Sequence, residues 1–210
     1  MRVAVASCHV ERILDDPAWA ALSRLLRRAP GGFRIAALVR PPDGEPEEPW
    51  LERARALDVP FGLHTHWTSP SHARPTGGDP AERVRCDLAW MRDRGLEPRF
   101  FAGGGWYTDE QVQRVVSGAG LVDLTATTFT LPYGGGRVVP GPERGLLPAT
   151  HTIGMLARAF RLPDYVHVYF HDTDLLQPKR RLGLELGLRH LGVRRPVRDL
   201  DELSRALAQS

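Results

Sequence analysis

The chain has 210 residues, 42% of them hydrophobic, and this length and composition fit one domain with a buried core. The net charge is +3, and the arginines are spread along the sequence, so no basic cluster of the kind that binds nucleic acid stands out. Two cysteines are too few for a disulfide framework, and no segment has the roughly 20 apolar residues of a membrane span. The first residues lack a signal-peptide pattern, so we expect a cytoplasmic protein without nucleic-acid or membrane partners.

The first third of the chain alternates short apolar runs with amphipathic helical patterns. Strands are predicted at residues 2–7, 33–39 and 59–64. Asp16 is the predicted N-cap of the first helix, with Pro17 at its first position, and a short helix is predicted over 50–57. The loop after the third strand, HTHWTSPSHARPTGGD, is long for a connection, which is typical of functional loops.

The alternation continues to the end of the chain. Helices are predicted from 80 to 95, at 153–160, at 180–191 and after 199. Further strands are predicted at 99–102, 121–125, 165–170 and 193–197, and Thr108 with Gln111 forms a predicted capping box. Strict alternation of strands and helices predicts a parallel sheet. We therefore expect an α/β fold over residues 1–210, a single-domain distorted parallel (β/α) barrel of about seven strands.

The positions of the histidines point to a site. Catalytic groups of α/β barrels lie at the carboxyl ends of strands. Four of the eight histidines fall there: His9, His64, His66 and His171. The others fall in the long loop, beside helices or within a strand: His72, His151, His167 and His190.

The sharpest local pattern is His64-Thr65-His66. Residues two apart in an extended segment project to the same side, so both imidazoles can face one ion. Neutral imidazole suits zinc and other divalent transition metals. The alternative is two hydrogen-bonded polar histidines at a strand end, but their place on the rim favours a metal site.

Three segments carry a resemblance to a known family. HTHWTSP (residues 64–70), RFFAGGGW (99–106) and VYFHD (168–172) follow one another in the order expected for conserved motifs around a barrel. In this order they resemble motifs of the polysaccharide deacetylases, which are carbohydrate esterases with NodB homology. The resemblance extends over nearly the whole chain, although each motif is short.

The resemblance implies a distorted parallel barrel, a divalent metal ion and hydrolysis of an acetamido group. The ion is expected to be zinc, with cobalt, nickel or manganese as alternatives. His64 and His66 correspond to metal ligands and His171 to the general acid that protonates the leaving amine. Asp172 or Asp174 would orient His171, or would cap the helix that follows.

The first motif departs from the family pattern. It normally carries an aspartate base and a second acidic ligand, but here the stretch reads Ser7-Cys8-His9-Val10-Glu11. We expect His9 to act as the base and Glu11 as the third ligand, with His9 or Cys8 as alternative ligands. Phe101 stands in place of the arginine of the third motif, and Thr68 lies where an H-x-x-x-H pair would have its second histidine.

Aromatic residues follow the predicted rim. Trp67, Trp106 and Tyr107 are expected to contact the substrate, with Tyr133 in a later loop, although such rings also anchor loops. A cytoplasmic enzyme would act on a small acetamido sugar or a carrier-linked glycan. Two other functions fit the same residues: a barrel that binds a carbohydrate without catalysis, and a metal hydrolase that acts on another bond.

Overall fold

The computed structural model describes residues 2–125, 146–156, 163–197 and 199–208. The strands in these ranges are β1 (Val3–Val10), β2 (Ala36–Val39), β3 (Phe61–Thr65), β4 (Phe100–Gly103), β5 (Val122–Asp123) and β6 (Tyr165–His171). The helices are α1 (Asp16–Arg28), α2 (Glu47–Arg55), α3 (Pro80–Asp93), α4 (Glu110–Gly118), α5 (Ile153–Leu156), α6 (Pro178–Arg194) and α7 (Leu200–Ala208). In the described part of the chain, no helix is both long enough and apolar enough to cross a bilayer.

The strands form one parallel sheet in the order β5-β4-β3-β2-β1-β6. Every neighbouring pair is parallel, and the sheet is curled into a half-barrel with helices around it. The predicted α/β fold, a distorted parallel barrel in a single domain, is thus confirmed.

The last predicted strand, over residues 193–197, is much shorter than expected. Helix α6 continues to Arg194 because its buried stripe extends to Leu191. Among the described residues of this segment, Val197 alone pairs with the sheet, through a single parallel bridge to Ala4. Pro196 has no N–H to donate to a ladder, which limits strand pairing at this point.

Two predicted helix caps are displaced by one residue. Helix α1 is capped by Asp15 rather than Asp16, and the Asp15 carboxylate accepts the Ala18 N–H at 2.9 Å. Helix α4 is capped by Asp109 rather than by Thr108, which is buried. In both cases two neighbouring polar residues were equally suitable as caps in the sequence. The path of the backbone decides which of the two side chains reaches the free N–H groups of the helix.

The two faces of β1 explain how the fold places polar groups at one end. One face packs in the outer core beneath the helices and consists of Ala4, Ala6, Cys8 and Val10. On the other face, Val3 and Val5 belong to an inner core that includes residues of α7. Because side chains alternate along a strand, Ser7, His9 and Glu11 continue this inner face toward the carboxyl end. The interior therefore changes from apolar to polar along β1.

Candidate metal centre

Parallel pairing brings the predicted rim residues to one edge of the sheet. His9 at the end of β1 lies directly beside His171 at the end of β6. His64 lies near the end of β3, beside Ala102 of β4, and His66 follows it immediately. Ring contacts connect all four histidines, with centroids 4.3 Å apart for His9 and His64, 5.2 Å for His9 and His171, and 4.9 Å for His64 and His66.

Glu11, His64 and His66 form a group whose ligand atoms all lie within 4.8 Å of one another. The two Nε2 atoms are 3.2 Å apart, and Glu11 Oε1 lies 3.8 Å from that of His64 and 3.5 Å from that of His66. In a tetrahedral zinc site with bonds of about 2.1 Å, neighbouring ligand atoms are about 3.4 Å apart. The three separations thus have the size that a transition-metal ion requires.

The hydrogen bonds of the two histidines leave both Nε2 atoms available to bind a cation. His64 Nδ1 donates to the carbonyl of Ala102 at 2.9 Å, and His66 Nδ1 donates to that of Pro70 at 3.0 Å. A carbonyl can only accept, so in the neutral rings both Nε2 atoms carry lone pairs. Those lone pairs face each other and the Glu11 oxygen, which is repulsive unless a metal ion or an added proton lies among them. Such backbone partners are also what orients histidine ligands in metalloproteins. The residues present therefore fit a divalent metal.

The backbone between the two histidines is held by a buried carboxyl group that sequence reasoning missed. Thr65 Oγ1 donates to Asp87 of α3 at 3.0 Å, and Arg83 forms an ion pair with the same carboxyl at 3.0 Å. Burial raises the pKa of Asp87 from 3.8 to about 6, although Arg83 and Thr65 oppose this shift. Asp87 thus couples the outer helix to the segment that carries His64 and His66.

Replacement of Asp87 by asparagine is expected to change how the free energy of unfolding depends on pH. The folded-state pKa of Asp87 is raised, so the wild-type fold loses stability as the pH rises from about 4 to about 6. Asparagine cannot ionise but still accepts from Thr65. The stability of Asp87→Asn relative to wild type should therefore increase by up to about 3 kcal/mol between pH 4 and pH 7. Chemical denaturation at several pH values measures this, with Asp93→Asn, an exposed carboxylate on the same helix, as control. An equal pH dependence for the Asp87 and Asp93 variants would contradict it.

The pKa of the Glu11 carboxyl is lowered by its surroundings. Burial raises the pKa of this carboxyl, but hydrogen bonds from protonated His64 and His66 and the positive charge of His171 outweigh burial and hold it well below its ordinary range. When the imidazoles are neutral, a bound cation would supply that positive charge instead. Burial also lowers the pKa of His64, and this effect exceeds the opposing attraction of Glu11. The site therefore presents an ionised carboxylate beside neutral imidazole, which is the donor set that zinc accepts.

The two aspartates after β6 perform different tasks. Asp172 is buried, and its Oδ2 accepts the backbone N–H of Arg12 at 2.8 Å, which holds the turn that carries Glu11. Asp174 instead faces His171, with its Oδ2 3.7 Å from His171 Nδ1 and 2.9 Å from the His171 backbone N. Of the two predicted partners, Asp174 is therefore the one positioned to orient His171.

His171 differs from the other rim histidines in its exposure. Its side chain is 36% exposed, compared with 3% for His64 and 4% for His66. Its Nε2 lies 3.5 Å from Glu11 Oε1. Burial lowers the pKa of His171, but Asp174 and Glu11 raise it by more, so it stands above its ordinary value. His171 is thus the imidazole that is both reachable from solvent and inclined to hold a proton.

His9 has the opposite character. It is 3% exposed, and its ring stacks on that of His64 with an angle of 30° between the ring planes. Burial, together with the nearby His64 and His171, lowers its pKa well below the ordinary value. His9 is therefore held as a neutral imidazole against the back of the ligand group.

Cys8, one of the alternative ligands, lies on the opposite face of β1. It belongs to the outer core and is fully buried there. Burial raises the pKa of its thiol, and the charges of Asp172, Asp174 and Glu11 raise it further. Since thiolate is the form that binds a metal, the structure places Cys8 outside the site.

Trp106 lies above His9 in a backbone conformation that tryptophan rarely adopts. Its φ is 59°, in the left-handed region, directly after Gly105 with a φ of 58°. The indole lies 5.2 Å from the ring of His9 and 4.5 Å, edge to face, from that of Tyr169. Sequence reasoning missed Tyr169, although it lies two residues before His171 on the same strand face. The two rings form one wall of the site.

The other predicted substrate-binding aromatics pack within the loop instead of facing the candidate ligands. Trp67 is 7% exposed, and its Nε1 donates to the carbonyl of Gly104 at 3.1 Å. Tyr107 packs against Trp67, with ring centroids 5.3 Å apart, and its hydroxyl donates to Asp109. This placement favours a structural role for both, and contact with a substrate stays a prediction. Tyr133 lies outside the described residues.

The remaining histidines lie away from the candidate ligands. His167 is fully buried one layer below, where its Nε2 accepts the Ser7 hydroxyl at 2.8 Å and its Nδ1 donates to the carbonyl of Leu147 at 2.9 Å. Burial lowers its pKa to about 4. His72 and His190 are exposed on the surface. The predicted division of the histidines into a rim set and a second set thus agrees with their positions.

Comparison with known proteins gives matches among solved structures only. No protein-family model and no curated protein sequence matches the chain. A carbohydrate esterase family 4 pseudoenzyme from Bacillus anthracis aligns with 97% of this chain and 65% of its own, at 13% identity and a TM-score of 0.62. This chain thus spans slightly less than two thirds of that protein.

Two further structures of the same kind match over most of both chains. A Mycobacterium smegmatis protein, provisionally named as a polysaccharide deacetylase, aligns with 99% of this chain and 90% of its own, at 12% identity and a TM-score of 0.64. A family 4 acetyl xylan esterase from Clostridium thermocellum, solved with a cobalt ion, aligns with 98% and 91%, at 13% identity and a TM-score of 0.57. The chain has the fold of the family 4 carbohydrate esterases. The resemblance predicted from the motifs is therefore confirmed at the level of the fold.

Proposed function

We propose that this protein is a metal-dependent amide hydrolase that removes the acetyl group from an N-acetylated sugar or a small molecule that contains one. The observation that carries the proposal is the convergence of Glu11, His64 and His66 at separations suited to a tetrahedral ion. Zinc is the proposed ion, with cobalt, nickel or manganese as alternatives. Similar folds include an acetyl xylan esterase and a protein provisionally named as a polysaccharide deacetylase, which supports hydrolysis of an acyl bond.

A divalent cation at this site supplies Lewis acidity for the amide carbonyl and lowers the pKa of water. The residues of the chain supply the rest. Glu11, His64 and His66 would hold the ion. His9, kept neutral by its buried position, would accept a proton from the attacking water. His171, whose pKa is raised, would donate a proton to the leaving nitrogen. Two groups whose surroundings move their pKa values apart are suited to these opposite tasks. Trp106 and Tyr169 would shield the reacting groups from bulk water.

Two substitutions test the proposed roles of Glu11 as metal ligand and His9 as base. Glu11→Gln should weaken zinc binding by at least about tenfold, because the amide oxygen carries no charge. His9→Ala should keep one zinc per chain and lose about 10²–10⁴ in turnover, the usual size of an acid–base contribution. Zinc titration and hydrolysis of N-acetylated sugars measure both, with His72→Ala as an exposed histidine control. Loss of zinc in His9→Ala together with full zinc binding in Glu11→Gln would reverse the assignment.

A second function, binding of a carbohydrate without catalysis, is favoured by one comparison. The Bacillus anthracis protein is a pseudoenzyme, and a mutant of it with restored activity also matches this chain, with a TM-score of 0.61. The first strand of our chain has His9 where the deacetylase motif has an aspartate. If wild type binds zinc and sugar without turnover, His9→Asp is expected to give measurable hydrolysis. If the wild-type protein hydrolyses the sugar and His9→Asp does not increase the rate, this second function is excluded.

A further inference from the structure

A large cavity lies between α5 and α6 and begins at the proposed proton donor. Its volume is about 1070 Å³, and Tyr169, His171 and Asp174 form the end next to the candidate metal centre. Ile153 and Leu156 of α5 and Leu186 of α6 supply apolar lining. Cavities of this size hold small-molecule ligands. This cavity is therefore a continuation of the site rather than a separate surface feature.

The groove on the other side of the ligand group is smaller. It is lined by Glu11, His66 and the buried Arg40, among other residues, and has a volume of about 560 Å³. An acetyl group is small and needs little of either space. When the scissile amide lies at the ion, the larger amine part of the substrate therefore has its room on the His171 side.

Gly183 of α6 borders this cavity and is not closely packed. Gly192 and Gly187 of α6 are explained by packing, because a Cβ would meet the backbone of Gly31 in the first case and lie 2.9 Å from Leu156 Cδ1 in the second. Gly183 has no such neighbour, since the nearest atom to its Cβ position would be Ile153 Cγ2 at 3.6 Å. Glycine destabilises a helix interior relative to alanine. Packing gives no reason for it at 183, whereas an open cavity does.

The charge at the cavity edge is positive. Lys179 and Arg180 lie in the first turn of α6, where the helix dipole also favours anions. Arg180 pairs with Asp174. Among the residues that the structure describes, no carboxylate pairs with the exposed ammonium of Lys179. An anionic group bound near Lys179 would therefore not displace an existing ion pair.

We propose that this cavity binds the amine part of the substrate, and that this part carries an apolar portion and an anionic group in addition to its sugar. The inference rests on the proposed amide hydrolysis, which places the scissile bond beside His171. Ile153, Leu156 and Leu186 would cover the apolar portion, and Lys179 would bind the anion at the edge. A free, uncharged amino sugar would leave both features unused.

Binding of simple amphiphiles tests the cavity without any need for turnover. By calorimetry, octyl phosphate or octanoate should bind at least about tenfold more tightly than octyltrimethylammonium or inorganic phosphate. Gly183→Phe, which fills the cavity, and Lys179→Glu should each weaken binding of the anions by about tenfold or more. Matched controls on the same helix are Leu182→Phe and Arg189→Glu, which lie outside the cavity lining and should change binding less than about twofold. Equal binding of the anionic and cationic amphiphiles, or no effect of Gly183→Phe, would overturn the inference.

Hydrolysis distinguishes failure of this inference from failure of the proposed function. Octyl phosphate should compete with an N-acetylated alkyl phosphate in wild type and lose this effect in Gly183→Phe. Turnover that neither octyl phosphate nor Gly183→Phe alters would refute the role of the cavity while leaving the hydrolase proposal intact. Gly183→Ala adds only a methyl group and should retain both binding and the fold.

Discussion

Replacing His64 and His66 together by alanine is expected to abolish stoichiometric zinc binding. In wild type the two Nε2 atoms are 3.2 Å apart and face the Glu11 oxygen, while both Nδ1 atoms are committed to backbone carbonyls. The double variant would leave Glu11 as the only member of the ligand group. A single carboxylate does not hold zinc in a closed protein site, which normally needs three or four ligands. Elemental analysis of the purified chain should fall from about one zinc to near zero.

The same substitution is expected to abolish hydrolysis as well, because the ion that activates the amide is lost. His72→Ala removes an exposed imidazole from the loop after β3 and should keep both zinc and turnover. Circular dichroism checks that the double variant is folded. A folded double variant that binds zinc like wild type would show that the site lies elsewhere.

Replacing His171 by alanine is expected to keep the ion but remove most of the turnover. His171 lies outside the Glu11–His64–His66 group. Its side chain is more exposed than those of His64 and His66. Loss of a proton donor should lower kcat by about 10²–10⁴. Zinc content should stay near one per chain, and His72→Ala, which removes an exposed histidine from the loop after β3, serves as control. Loss of zinc in His171→Ala would instead identify His171 as a ligand.

The pH dependence of kcat gives a second readout for the same residue. Asp174 and Glu11 raise the pKa of His171 above its ordinary value, so the protonated donor persists to higher pH in wild type. Activity that needs this proton is present below that pKa and declines as the pH rises through it. Asp174→Asn removes a negative charge beside the ring and should move the decline to lower pH. An unchanged profile would show that Asp174 only caps the backbone.

Much of the architecture could be predicted from local sequence patterns. Apolar runs that alternate with amphipathic helices specify a parallel sheet, and parallel strands place their carboxyl ends on one edge. That rule predicted His9 and His171 on the same rim, and the pairing of β1 with β6 places them side by side there. The period of two along an extended segment likewise predicted that His64 and His66 face one point. These conclusions depend only on backbone geometry, which local composition determines well.

What the sequence determined by itself was therefore the fold class and the set of residues at the rim. The tertiary structure alone decided which atoms meet: that the carboxylate of Glu11 reaches both imidazoles, that Cys8 faces the outer core, and that Asp174, not Asp172, faces His171. It also decided that Asp87, far away in the chain, supports Thr65. The reason is physical. Hydrogen bonds and ion contacts act over a few ångströms, and separations of this size between different elements follow from packing of the whole core rather than from the spacing of residues along the chain.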